Sequence, residues 1–251
     1  MPPRIIPSLL LRGRGLVKGI NFKDRRYIGD PINAVHIFNE KEVDELVFLD
    51  ITATAENRLP DLSHIQQIAD ECYMPFAVGG GIRKVEDIRA LLNAGAEKVV
   101  INTAAEESPH ILREAADTFG SQCIVASIDS KKNPLGGYET FTHSGGKRAG
   151  KGPIKHAKTM QELGAGEILL TSIDREGTMA GYDLELIQKA AKALTIPLIA
   201  SGGAGKTEDF KAARDAGASA CAAGSMFVFH GRRRAVLINY PEKKELEETF
   251  K

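Results

Sequence analysis

The chain has no tryptophan, and its ten phenylalanines and five tyrosines make up only 6% of 251 residues. A core of this size must therefore be filled by aliphatic side chains, and the 43% hydrophobic content provides them. Cysteine is scarce too. Cys72, Cys123 and Cys221 sit in apolar contexts without metal-ligand spacing, and an odd count argues against a disulfide framework. Neither sign of charge is in excess, with 33 Lys plus Arg against 33 Asp plus Glu, so there is no global nucleic-acid footprint. No run approaches the roughly 20 apolar residues that span a bilayer. The start MPPRIIPSLLLRGRG is too short and too basic-flanked for a secretory signal. A cytoplasmic protein that binds neither nucleic acid nor membrane is expected. No His/Cys/carboxylate cluster has catalytic-metal spacing, so neither a metal nor a cofactor is expected.

What is present is a long repeat. Residues 75–105, PFAVGGGIRKVEDIRALLNAGAEKVVINTAA, recur 122 positions later at 197–227, PLIASGGAGKTEDFKAARDAGASACAAGSMF, with ten of 31 positions identical and no gap. Solenoid repeats run at roughly 20 to 50 residues, so a period this long marks a duplicated half-domain. Each copy reads as a buried strand, a Gly-Gly turn, an amphipathic helix and a second strand ending in Asn102-Thr103 or Gly224-Ser225. A glycine turn leading into a helix N-terminus makes an anion cradle. Two cradles are expected, at Gly80-Gly81 with Asn102-Thr103 and at Gly202-Gly203 with Gly224-Ser225, gripping a ligand with two phosphates. Glycines that merely let helices pack closely are the plainer alternative.

Apolar runs alternate with helical patterns along the whole chain. Strands are predicted at 5–11, 46–51, 76–79, 98–102, 123–129, 167–172, 198–201 and 220–224, and helices near 32–43, 61–72, 85–94, 109–118, 153–164, 184–194 and 207–216. Runs such as LVFLDI and EILLTSI are continuously apolar, as parallel strands covered on both faces require. Eightfold βα alternation over about 250 residues predicts an α/β fold, a (β/α)8 TIM barrel, in preference to a doubly wound sheet. It is read as a single domain over 1–251, with half-barrels of about 4–120 and 121–230 and a tail at 231–251. Chemistry in such barrels sits at the carboxyl ends of the strands. Those ends carry Leu10, Asp50, Gly80-Gly81, Asn102-Thr103, Asp129, Thr171-Ser172, Ser201-Gly202-Gly203 and Gly224-Ser225. Two flexible loops are expected over that face: 13–30, with Lys18 and the basic cluster Lys23, Arg25 and Arg26, and 145–152, after a hairpin at 138–143. His36, His64 and His156 read as ordinary surface or core-edge residues. Arg232, Arg233 and Arg234 suit either an acidic ligand or a solvated basic turn.

Over residues 4–229 the chain resembles the cyclase subunit of imidazole glycerol phosphate synthase. The resemblance is carried by KGINF (18–22), GDP (29–31), DELVFLDITA (44–53), VGGGI (78–82), INTAA (101–105), FGSQ (119–122), GAGEILLTSIDREGT (164–178) and IASGGAGK (199–206). It implies a ribulose-phosphate-binding barrel that docks a glutaminase subunit on its bottom face. Ammonia from glutamine would cross the barrel to react with a ribulosyl aminoimidazole bisphosphate intermediate, giving imidazole glycerol phosphate and an aminoimidazole carboxamide ribotide. The family's acid–base pair is two aspartates on strands one and five. Asp129 matches the second, but Leu10 stands where the first belongs, and leucine carries no proton. Lys18 matches a lysine that closes over substrate. Arg4, Glu45, Lys98 and Glu167, at the amino ends of strands one, two, four and six, match the ring that gates the ammonia passage. The start SLLLRGRGLVKG, the block at 21–51 and the tail GRRRAVLINYP are similar to a paralogous branch. That branch supplies ammonia, with a separate amidotransferase, for converting acetamido to acetamidino groups on bacterial surface sugars. A non-catalytic subunit that activates a glutaminase is an alternative. A free-standing phosphosugar isomerase is disfavoured by the INTAA and LLTSIDREGT blocks.

Overall fold

A computed structural model describes residues 2–251. Eight parallel strands close on themselves: β1 (Arg4–Arg12), β2 (Leu46–Asp50), β3 (Phe76–Gly79), β4 (Lys98–Ile101), β5 (Ile124–Lys132), β6 (Glu167–Ser172), β7 (Leu198–Ser201) and β8 (Ala220–Ala223). Each pairs with the next, and β8 returns to β1 through Arg4↔Ala220 and Ile6↔Ala222. Helices α1 (Pro31–Glu40), α2 (Leu62–Glu71), α3 (Val85–Asn93), α4 (His110–Phe119), α5 (Pro153–Glu162), α6 (Leu184–Ala193), α7 (Thr207–Asp215) and α8 (Lys243–Thr249) surround it. This is the expected (β/α)8 barrel.

The continuously apolar strands have a two-sided cause. Ile6, Val47, Val100, Val125, Leu169 and Ile199 point inward and fill the barrel axis. Their neighbours, among them Ile5, Phe48, Val78, Val99, Ile168 and Leu198, point outward onto the helices. Burying an aliphatic side chain fully stabilises by about 1.5–3 kcal/mol, so neither face tolerates the polar alternation of a half-exposed sheet.

The duplication holds down to hydrogen bonds. Asp87 Oδ2 accepts from the amides of Arg83 (2.9 Å) and Lys84 (3.2 Å), and Asp209 Oδ2 from those of Gly205 (2.8 Å) and Lys206 (3.1 Å). Each thereby satisfies donors that the first turn of α3 or α7 leaves open. Strand register gives the same result at the barrel mouth. Leu10 lies opposite Leu49 on β2, and Asp129 lies opposite Thr171 on β6. Leu49 and Thr171 are themselves 122 positions apart, so Leu10 and Asp129 occupy equivalent places.

Several expectations need correction. Residues 13–30 are no floppy loop. Gly15–Ile20 and Lys23–Gly29 form an antiparallel ribbon that continues from β1 through Leu10↔Val17 and Leu11↔Leu16, turning at Asn21 and Phe22 with φ of 49° and 63°. Buried Leu16, Val17 and Ile28 anchor it. Residues 145–152 include a short strand, Lys147–Arg148, that pairs with Tyr138–Thr142, which in turn pairs with the extended end of β5. Strand five begins at Ile124, because Ser121–Cys123 is a 3-10 turn. Asn102 and Gly224 lie just beyond β4 and β8, where they cap the single-turn helices Thr103–Glu107 and Ser225–Val228. The tail is tied to the barrel. The Tyr240 hydroxyl donates to the Ile5 carbonyl at 3.1 Å, and the unforeseen α8 packs on α7 with Arg214 over the Phe250 ring.

Candidate functional site

The carboxyl ends of the strands surround a cavity whose polar floor includes Ser8, Asn102, Ser127, Asp129, Thr171 and Ser201. Asp129 is only 8% exposed. Burial, then the nearby Glu176 charge, push its pKa up to about 7, against the opposing hydrogen bond from Asn102 Nδ2 at 3.3 Å. A carboxyl that titrates near neutrality can give or take a proton at working pH. Across the mouth the equivalent position is Leu10, beside Leu49, and both are apolar.

The expected substrate-binding residues divide into three groups. Gly80, Gly81 and Thr103 line the cavity, at the expected place of the first cradle. A Cβ at Gly81 would lie 1.8 Å from the Arg58 carbonyl oxygen, so the backbone packs there only as glycine. Thr103 Oγ1 accepts from the His143 amide at 3.2 Å. Asn102, expected to offer its amide to a phosphate, instead donates to the Ser127 carbonyl (3.0 Å) and to Asp129. Asp50 reaches the mouth with its carboxylate already engaged by Arg58 Nη1 at 2.6 Å and by the amides of Thr52 and Ala53. That saturation leaves Asp50 poorly placed to supply the proton carrier expected at position 10.

The second cradle departs from the expected symmetry. Gly202, Gly203, Gly224 and Ser225 do not line the cavity. The Gly203 carbonyl accepts from the Gly181 amide at 2.8 Å, and a Cβ at Gly224 would lie 2.4 Å from Lys18 Nζ. Lys18, read as a loop residue, is 3% exposed and ion-paired with Glu176. The ribbon thus folds down and sets its lysine against the second cradle. Ser225 Oγ is left buried without a partner there.

Glu176 was not singled out from sequence. It stands 122 positions after Thr54, and both line the mouth, so the repeat offset that pairs Glu45 with Glu167 also reaches it. His64 and His156 are more deeply buried than expected. Burial lowers the His156 pKa in spite of Glu106, whose Oε2 lies 3.1 Å from Nδ1. Arg234 Nη2 donates to the Gly177 carbonyl at 2.8 Å, tying the tail to the loop that carries Glu176.

At the opposite end the four expected ring residues converge. Arg4 bonds Glu45 at 2.5 Å and Glu167 at 3.0 Å, while Lys98 bonds Glu45 at 2.9 Å and Glu167 at 3.3 Å. Two cations and two anions close a square beneath the apolar interior of the barrel.

Residues 4–233 match the model of the histidine biosynthesis protein family. The chain belongs to that family. Its relatives include a Leptospira interrogans protein, 47% identical over 252 residues and covering 100% of this chain and 99% of its own length. A Pseudomonas aeruginosa protein is 47% identical over 97% of this chain and 98% of its own length, and one from Vibrio vulnificus is 45% identical over 98% and 96%. All three are provisionally named imidazole glycerol phosphate synthase subunits: HisF, hisF2 and hisF3. The family match stops within the tail, just before Arg234 makes its contact with Gly177. No helix among the described residues is long and apolar enough to cross a membrane.

Proposed function

We propose that this chain is the cyclase-type barrel of a glutamine-dependent complex, receiving ammonia from a glutaminase subunit docked at its bottom face. The observation that carries the reading is the closed square of Arg4, Glu45, Lys98 and Glu167. A barrel working alone needs no polar gate at the end opposite its mouth. Above the square, Ala77, Ala220 and Ala222 lie among larger aliphatic side chains, so the interior there is apolar and least filled at the alanines. Such a passage admits neutral ammonia and penalises ammonium, because an unpaired charge in an apolar interior is costly. At the mouth, Asp129 exchanges protons near neutral pH, the first cradle holds a phosphate of the substrate, and Lys18 stands ready to leave Glu176 for an incoming anion.

The finer reading follows from Leu10. With one acid–base position lost, the barrel suits the branch whose members deliver ammonia, with a separate sugar amidotransferase, for acetamido-to-acetamidino conversion on surface polysaccharides. The authentic cyclase of histidine biosynthesis is the second reading, favoured by the retained Asp129 and the first cradle. The experiment is glutamine hydrolysis by a glutaminase subunit of this family's complexes, measured with and without this chain. Hydrolysis should rise on addition, with a complex burying roughly 1,200–2,000 Å². No complex and unchanged hydrolysis would contradict the ammonia-channel reading.

A further inference from the structure

Arg25 is the one guanidinium that lines the mouth without an ionic partner among the described residues. The carboxylates around it are committed elsewhere: Asp50 to Arg58, Glu176 to Lys18, and Asp129 to the Asn102 amide. Arg25 also makes no side-chain hydrogen bond there. Its stem packs near Gly19, with Cγ 3.4 Å from where a glycine Cβ would stand, so the ribbon holds it in place. Burial, and next the like charge of Arg12, lower its pKa from the ordinary arginine value. Arg12 too lacks an ionic partner among the described residues. A half-desolvated cation beside a second cation is unfavourable until an anion arrives. Leu10, Phe22 and Leu49 line the same cavity and offer apolar surface but no counter-charge.

We propose that Arg25 is a ligand-binding residue that takes an anionic group, carboxylate or phosphate, at the mouth of the cavity, from the ribbon rather than from the first cradle. The planar fork of arginine meets either anion with two parallel hydrogen bonds. Leu10 fits this arrangement. An aspartate in its place would add a negative charge to the cavity that the ligand's anion has to enter. The inference rests on the reading above only in taking the mouth as the ligand site.

The test is calorimetric titration of the full chain with pyrophosphate and, separately, with succinate, for the wild type, Arg25→Gln, Arg25→Lys and Thr103→Val. Arg25→Gln should weaken the favoured anion about tenfold or more, the size of a charge-assisted pair. Arg25→Lys should recover part of that loss, keeping the charge without the fork. Dependence on Arg25 for pyrophosphate alone assigns a phosphate, and for succinate alone a carboxylate. The thermal midpoint of anion-free Arg25→Gln should equal or exceed that of the wild type, since an uncompensated cation is removed. Unchanged affinity for both anions in Arg25→Gln, or loss confined to Thr103→Val, would overturn the proposal. A lower anion-free midpoint in Arg25→Gln would do so too, by marking Arg25 as structural. None of these readouts involves a glutaminase or cyclase turnover, so failure here leaves the proposed function standing.

Discussion

The two ends of the barrel treat its internal repeat in opposite ways. At the bottom the symmetry is kept: Glu45 and Glu167, one from each half, face the same two cations in a closed square. At the top it is broken. Asp129 faces Thr171 in the second half, and Leu10 faces Leu49 at the equivalent place in the first. The cradles differ as well, the first lining the cavity and the second covered by Lys18. A part-buried charge cluster has to be balanced, because four converging charges are tolerable only when paired. A site for an unsymmetrical ligand has no such constraint, and the duplicated scaffold is free to diverge there.

The sharpest break in that comparison is Asp129→Asn. Loss of the mouth's near-neutral carboxyl should reduce turnover by about 10²–10⁴-fold, read as kcat. The same change should stabilise the fold at pH 8. The Asp129 pKa is raised to about 7 in the folded chain from the ordinary aspartate value of 3.8. The folded chain therefore holds more protons than the unfolded one between those values, and stability falls as pH rises from about 4 to 7. Asparagine removes that dependence, for a gain of about 1–4 kcal/mol at pH 8 in chemical denaturation.

Breaking the square should cost less. Lys98→Met leaves Glu45 and Glu167 sharing Arg4, with an expected loss of about 1–3 kcal/mol, or a midpoint roughly 2–9 °C lower. Glutaminase coupling should fall in this variant while phosphate binding at the mouth is retained. Retained coupling would separate the ring from the passage. Smallest is Glu176→Gln. Removing a negative charge beside Asp129 should lower the Asp129 pKa, shifting the rate limb near pH 7 to lower pH. A limb that stays in place would show that Glu176 does not reach Asp129.

The barrel was legible because each strand is apolar on both faces and each helix start carries its own signal, such as Asp30-Pro31 and Thr207-Glu208-Asp209. The square was legible as four charges at strand starts. The ribbon at 15–29 was not, because its second strand, KDRRYIG, is mostly exposed and shows no hydrophobic alternation. Helix α8 buries no residue fully, so its sequence has no apolar stripe to find. The Lys18–Glu176 pair joins residues 158 positions apart through a loop that closes over the mouth, and nothing local encodes such a contact. The covered second cradle follows from that same closure.

We propose a mouth that has lost one of two equivalent acid–base positions while keeping Asp129 and the first cradle. The most direct test is ammonia-dependent turnover of the ribulosyl aminoimidazole bisphosphate by the wild type and by Leu10→Asp, with folding checked by thermal melting. Slow wild-type turnover is expected, with a gain of about tenfold or more in Leu10→Asp, a fraction of the range a positioned acid–base group supplies. Brisk wild-type turnover that Leu10→Asp leaves unchanged or reduces, in a folded variant, would contradict that proposal.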